Sequence, residues 1–116
     1  MATLTIYHNP RCSKSRQTLA LIEKAGQTPN VVLYLDNPPS VAELDGLLKK
    51  LGVEPQAIVR TGEDLYKELG LSQATHSRQE WLQLLHDHPK LIERPIVVKG
   101  DRAVIGRPPE NVTALL

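Results

Sequence analysis

Apolar and polar residues alternate at the start of the chain, Leu4 and Ile6 with Thr3 and Thr5, until Asn9-Pro10 breaks the alternation. That pattern predicts a short strand closed by a turn. From Cys12 to Ala25 the apolar positions shift to helical spacing, with Leu19, Ile22 and Ala25 on one face and Gly26 placed to end the helix. The run Val31-Val32-Leu33-Tyr34-Leu35 is apolar on both faces, as in a strand inside a covered sheet, and Asn37-Pro38-Pro39 stops it. These elements predict a βαβ unit with a right-handed crossover.

The pattern then changes. Ser40 and Glu43 form a capping-box signature ahead of Leu44, Leu47, Leu48 and Leu51, closed by Gly52. Ser77 and Glu80 repeat it before Trp81, Leu82, Leu84 and Leu85, and shorter helical pieces are expected around Pro55 to Val59 and Glu63 to Leu69. Residues 40–88 therefore read as a helical insertion. Beyond it, Pro95-Ile96-Val97-Val98 and Ala103-Val104-Ile105 flank Lys99-Gly100-Asp101-Arg102, which predicts a tight hairpin. The order βαβ, helical block, ββα predicts an α/β, thioredoxin-like fold with the insertion between its second and third strands. All of it is assigned to one domain, residues 1–116.

Composition narrows the function classes. At 116 residues, 41% of them apolar, the chain is long enough to bury a core without disulfides or a structural metal. A net charge of +1 gives no global field toward nucleic acid or anionic lipid. No apolar run reaches the roughly 20 residues that span a bilayer, and Met1 to Tyr7 lacks the pattern of a signal peptide, so a cytoplasmic protein without membrane or nucleic-acid partners is expected. The single cysteine excludes an internal disulfide and a cysteine-cluster metal site.

The placement of Cys12 gives it a chemistry. At a helix N-terminus it faces backbone N–H groups without intrahelical acceptors, which favour thiolate over thiol and can also hold an oxyanion. Ser15 lies within one turn, where its hydroxyl can donate to the thiolate, and His8, Arg11, Lys14 and Arg16 add local positive charge. A phosphatase-type loop is excluded because Thr18 stands where its arginine is required. A C-x-x-C motif is excluded because Ser15 replaces the second cysteine. Any disulfide of Cys12 is therefore with another molecule. His76, His86 and His88 read as solvated helix or loop residues, and no metal site is expected.

Five ordered blocks carry a family resemblance: "YHNPRCSKSR" near the start, "LYLDNPPS" after the second strand, "IVRTGE" at 58–63, "HPKLIERPIVV" at 88–98 and "IGRPPE" at 105–110. Together they resemble the glutaredoxin-dependent arsenate reductases, the ArsC family, over nearly the whole chain. The resemblance implies Cys12 as the nucleophile, His8 as the residue that helps lower its pKa, and Ser15 as the nearby serine. It implies Arg60, Arg94 and Arg107 as oxyanion-binding residues and Pro95 as a cis-proline facing the site. Arginine suits a tetrahedral oxyanion, since its planar, permanently charged fork makes bidentate contacts that lysine cannot. Where members of the family it resembles often have a small residue such as glycine just after the cysteine, this chain places Ser13 and Lys14 in the loop.

The implied reaction is reduction of arsenate to arsenite through a Cys12 thiol–arsenate adduct. Glutathione is then co-substrate, glutaredoxin the resolving partner, no cofactor is bound, and a monomer is expected. Two rival readings share the scaffold. One is a regulatory, protein-binding module of the Spx type, which generally carries the C-x-x-C pair this chain lacks. The other is a glutathione-linked thiol transferase, which needs Cys12 but tolerates loss of Arg60 and Arg107.

Overall fold

The computed structural model describes residues 3–73 and 75–116. Its chain forms two compact units, one made of Met1–Asn37 with Arg94–Leu116 and the other of Pro38–Glu93.

The first unit is built on a four-stranded sheet of β1 (Leu4–Tyr7), β2 (Asn30–Val32), β3 (Ile96–Lys99) and β4 (Arg102–Ile105), in the order β2-β1-β3-β4. β1 runs parallel to β2 through the crossover helix α1 (Ser13–Lys24), while β3 is antiparallel to both β1 and β4. This is the predicted thioredoxin-like order, with the helical segment inserted between β2 and β3. Leu4, Ile6, Ile22, Val97, Val112 and Leu115 form its buried core. Each such side chain contributes about 1.5–3 kcal/mol on full burial. The hairpin turn falls at Gly100-Asp101, where Gly100 takes φ 63°, a left-handed conformation open to glycine at little cost.

Three local expectations are corrected. The second strand covers only Asn30–Val32, because the Leu33 carbonyl accepts from Asp36 N and Asn37 N at 3.0 and 2.9 Å and turns the chain. Within the apolar run, Tyr34 is 1% exposed while Val31 and Leu35 are each 42% exposed, as befits an edge strand and a turn. The inner face of α1 is Ser15, Thr18 and Ile22 rather than Leu19, Ile22 and Ala25: Leu19 is half-buried and Ala25 exposed. The last element is a 3-10 helix, Pro109–Leu115, whose buried residues Pro109, Val112 and Leu115 recur every three positions, the period of that helix.

The second unit is helical. α2 (Val41–Leu51) and α4 (Arg78–Asp87) both open with complete capping boxes, at Ser40/Glu43 and Ser77/Glu80. Between them lie the 3-10 segment Pro55–Ile58, the short α3 (Asp64–Glu68) and the 3-10 turn Leu71–Gln73. Leu44, Leu48, Ile58, Leu82, Leu85 and Leu91 are buried here to 1% exposure or less. Arg78 ties α4 to α2 through Asp45, donating from Nε at 3.0 Å and Nη2 at 2.7 Å. Among the described residues no helix is long and apolar enough to cross a membrane.

Candidate active site

Sheet register gathers one end of three strands. Tyr7, the last residue of β1, pairs with Ile96, the first of β3, and Ile96 pairs with Ile105, the last of β4. The loop that follows Tyr7, the Arg94-Pro95 segment before Ile96 and the Gly106-Arg107 segment after Ile105 therefore emerge side by side.

The first of these loops is shaped by its own sequence. Asn9 O accepts from Cys12 N at 3.0 Å, closing a β-turn with Pro10 at its second position, and Asn9 Oδ1 accepts from Arg11 N at 3.0 Å. Proline suits that position because its φ is preset, and asparagine suits the first because its side chain caps the turn. Cys12 becomes the N-cap of α1, with extended backbone at φ −95° and ψ 124°, and its carbonyl accepts the first helical bond, from Arg16 N.

The cysteine is 8% exposed, but its surroundings are not those of a small core hydrophobe. Arg107 Nη2 donates to Sγ at 3.6 Å, and Arg107 Nε donates to Arg94 O at 2.8 Å. The thiol pKa lies below its ordinary value. Burial, the largest single influence, pushes it up, but is outweighed by the combined pull of the Ser15 N–H, the Arg94 guanidinium and the Lys14 N–H. No cap bond to the side chain is fully formed, so the two amides act on the sulfur as oriented dipoles at the helix start. The bias toward thiolate is thus built into this unit.

His8 and Ser15 form a separate buried pair. His8 Nδ1 and Ser15 Oγ lie 2.6 Å apart, and Asn9 N donates to the same oxygen at 3.0 Å. Burial lowers the His8 pKa, so the ring is held toward its neutral form. His8 therefore brings no full positive charge to the thiol, and Ser15 acts on Cys12 through its backbone N–H while its hydroxyl serves His8 and Asn9. The pair anchors the loop to α1.

Pro95 follows Arg94 through a cis peptide bond, and Pro108 follows Arg107 through another. Arg60 belongs to the second unit. Its backbone N–H donates to Leu91 O at 2.7 Å, its Nε to Glu63 at 3.1 Å and its Nη1 to Glu93 at 3.0 Å. Two carboxylates thus orient its guanidinium and offset part of its charge. His86 Nδ1 lies 2.9 Å from Pro39 O and His76 Nδ1 lies 3.7 Å from Glu80, so these histidines have specific partners rather than solvent alone. Among the described residues no cluster of three or more histidine, cysteine, aspartate or glutamate side chains is placed to hold a metal.

The Asn9-Pro10 turn was legible in the sequence, but the Asn9 side-chain acceptor and the buried Thr18 hydroxyl were not. The turn signature Asn-Pro pointed to Asn9, and buried hydroxyls at Ser15 and Thr18 share one helical face.

The chain matches the model of the ArsC family over residues 7–115. It is 52% identical to an uncharacterized protein of Escherichia coli K12, covering 96% of this chain and 94% of that protein. It is 49% identical to a protein of Haemophilus influenzae named arsenate reductase, covering 98% and 99%. A solved structure, arsenate reductase from Vibrio cholerae, superposes with a TM-score of 0.95 at 50% identity, covering 99% and 98%.

Proposed function

Because this chain belongs to the ArsC family, we propose that it is an arsenate reductase in which Cys12 is the nucleophile and arginines hold the oxyanion. The observation that carries this reading is the Cys12 sulfur set against the guanidinium of Arg107, with Arg94 acting on the same thiol. A lowered thiol pKa beside two permanent cations suits attack on an anion. Relatives named arsenate reductase support the substrate. Arg60 is the third substrate-binding arginine of this reading, assigned from the family resemblance.

The Cys12 thiolate attacks the arsenic of arsenate, a sulfur–arsenic bond forms, and one arsenate oxygen leaves as water after protonation. Glutathione supplies a second thiol. Its sulfur and that of Cys12 are oxidised to a mixed disulfide, and the two electrons they release reduce As(V) to As(III), which departs as arsenite. A glutaredoxin thiol then takes the glutathione from Cys12 by disulfide exchange and restores the starting thiol. The lone cysteine makes outside thiols necessary. Arg94 and Arg107 stabilise charge on the arsenate oxygens as the adduct forms.

The test is arsenate-dependent NADPH oxidation by the purified protein with glutathione, glutaredoxin and glutathione reductase. Turnover that needs arsenate and both thiol sources is expected, and Cys12→Ser should lower it at least about a thousandfold with the fold intact. Background rates with arsenate, alongside turnover of a glutathione mixed disulfide, would replace this reading with a thiol transferase.

A further inference from the structure

The segment that carries Arg107 is gripped from two sides by residues with no part in the chemistry above, and we infer that Thr18, Gly106 and Asn111 are positioning residues for the Arg107 guanidinium. The inference rests on the arsenate reductase reading only for the identity of the anion.

The inner grip is steric. Gly106 is buried, and its N–H donates to Pro95 O at 2.9 Å. A Cβ there would stand 2.6 Å from Thr18 Oγ1, 2.8 Å from Pro95 Cγ and 3.1 Å from Thr18 Cγ2. Any side chain at this position must push the Arg107 backbone outward or displace the proline ring. Thr18 is fully buried on α1, the helix that begins at Cys12. Its hydroxyl donates to Lys14 O at 2.8 Å, so the buried group is satisfied within the helix while its oxygen and methyl face Gly106. Thr18 and the missing side chain of Gly106 thereby set the spacing between the helix that presents the sulfur and the backbone that presents the guanidinium.

The outer grip is made of hydrogen bonds. Asn111 Nδ2 donates to Ile105 O and to Arg107 O, each at 3.1 Å, and so spans the carbonyls on either side of Gly106. Arg107 N donates to Ile105 O at 2.9 Å, which tightens the same bend. Held in this way, the Arg107 side chain reaches Arg94 O with Nε and Cys12 Sγ with Nη2 together. The reach to sulfur is already 3.6 Å. A displacement of about 1 Å at such a site costs on the order of a hundredfold.

The experiment compares Gly106→Ala, Gly106→Ala with Thr18→Ala, and Asn111→Ala in the whole protein. Three quantities are read: solvent protection of the Arg107 Nε–H by NMR, the KM for arsenate against kcat, and the pH midpoint of Cys12 alkylation. Gly106→Ala and Asn111→Ala should lose Nε–H protection and raise KM on the order of ten- to a hundredfold, with a smaller change in kcat. Asn111→Ala should move the alkylation midpoint upward by less than Arg94→Ala does, because Arg94 and the helix amides still act on the sulfur. Adding Thr18→Ala should return part of the KM lost to Gly106→Ala, since it removes two of the three close contacts. Folded variants that keep both Nε–H protection and the parent KM overturn the inference. Should Gly106→Ala not fold, Asn111→Ala decides alone. A parent protein that reduces no arsenate defeats the proposed activity, and Nε–H protection then decides the positioning.

Discussion

Arg107 places Nη2 3.6 Å from the sulfur of Cys12 across 95 positions of sequence, while its Nε is committed to the Arg94 carbonyl at 2.8 Å. One planar group performs both contacts. A lysine ammonium on a flexible stem cannot hold both directions together. Arg107→Lys should therefore raise the KM for arsenate by about tenfold or more, roughly 1.4 kcal/mol of lost binding, despite keeping the charge. Steady-state kinetics with an unchanged KM would show that charge alone is enough.

The thiol of Cys12 should titrate below its ordinary value, because the helix-start amides and the Arg94 guanidinium together outweigh burial. Alkylation by iodoacetamide follows the thiolate, so its rate against pH reports this midpoint directly. Arg94→Ala removes a hydrogen-bonding cation that favours the thiolate and should move the midpoint upward, since burial then opposes the Ser15 and Lys14 amides alone. A midpoint indifferent to Arg94 contradicts the electrostatic account.

His8 predicts how stability responds to acid. Its folded pKa is lowered by burial, so the unfolded chain binds a proton there more readily than the folded one. The contribution is fully present above the unfolded value of about 6.5 and is lost as pH falls through the folded pKa. His8→Asn removes this titration while keeping a polar group toward Ser15. In urea unfolding from neutral pH downward, the parent should lose stability faster than the variant; parallel curves would refute the assignment.

The capping box of α4 gives a stability prediction remote from the thiol. Ser77 Oγ accepts from Glu80 N at 3.2 Å, and Glu80 Oε1 accepts from Ser77 N at 2.9 Å. Ser77→Ala leaves a helix-start amide without its partner and should cost about 1 kcal/mol. Chemical denaturation measures that loss, and the Cys12 alkylation midpoint should stay where it is.

Much of this molecule was legible where its determinants are close in sequence. Asn9-Pro10 announced the turn before Cys12, and the two Ser-x-x-Glu boxes announced α2 and α4. The Gly100-Asp101 turn announced the hairpin. The run from Val31 to Leu35 misled because apolar content alone cannot separate an edge strand from the turn that follows it; the bonds to Leu33 O made the difference. The period of three at Pro109, Val112 and Leu115 was present in the sequence and distinguishes a 3-10 helix from the α-helix expected.

By itself the sequence determined that Cys12 stands at a helix start, with helix amides facing it, and the family to which its ordered blocks belong. Each depends on residues within about one helical turn or on the blocks themselves. Only the tertiary structure decided that Arg94 and Arg107 meet the sulfur, that the Ser15 hydroxyl turns to His8, and that Thr18 leaves no room for a side chain at Gly106. Those relationships follow from the register of β1, β3 and β4 and from the packing of α1. Strand pairing is a long-range choice, and no local periodicity encodes which ends it will bring together.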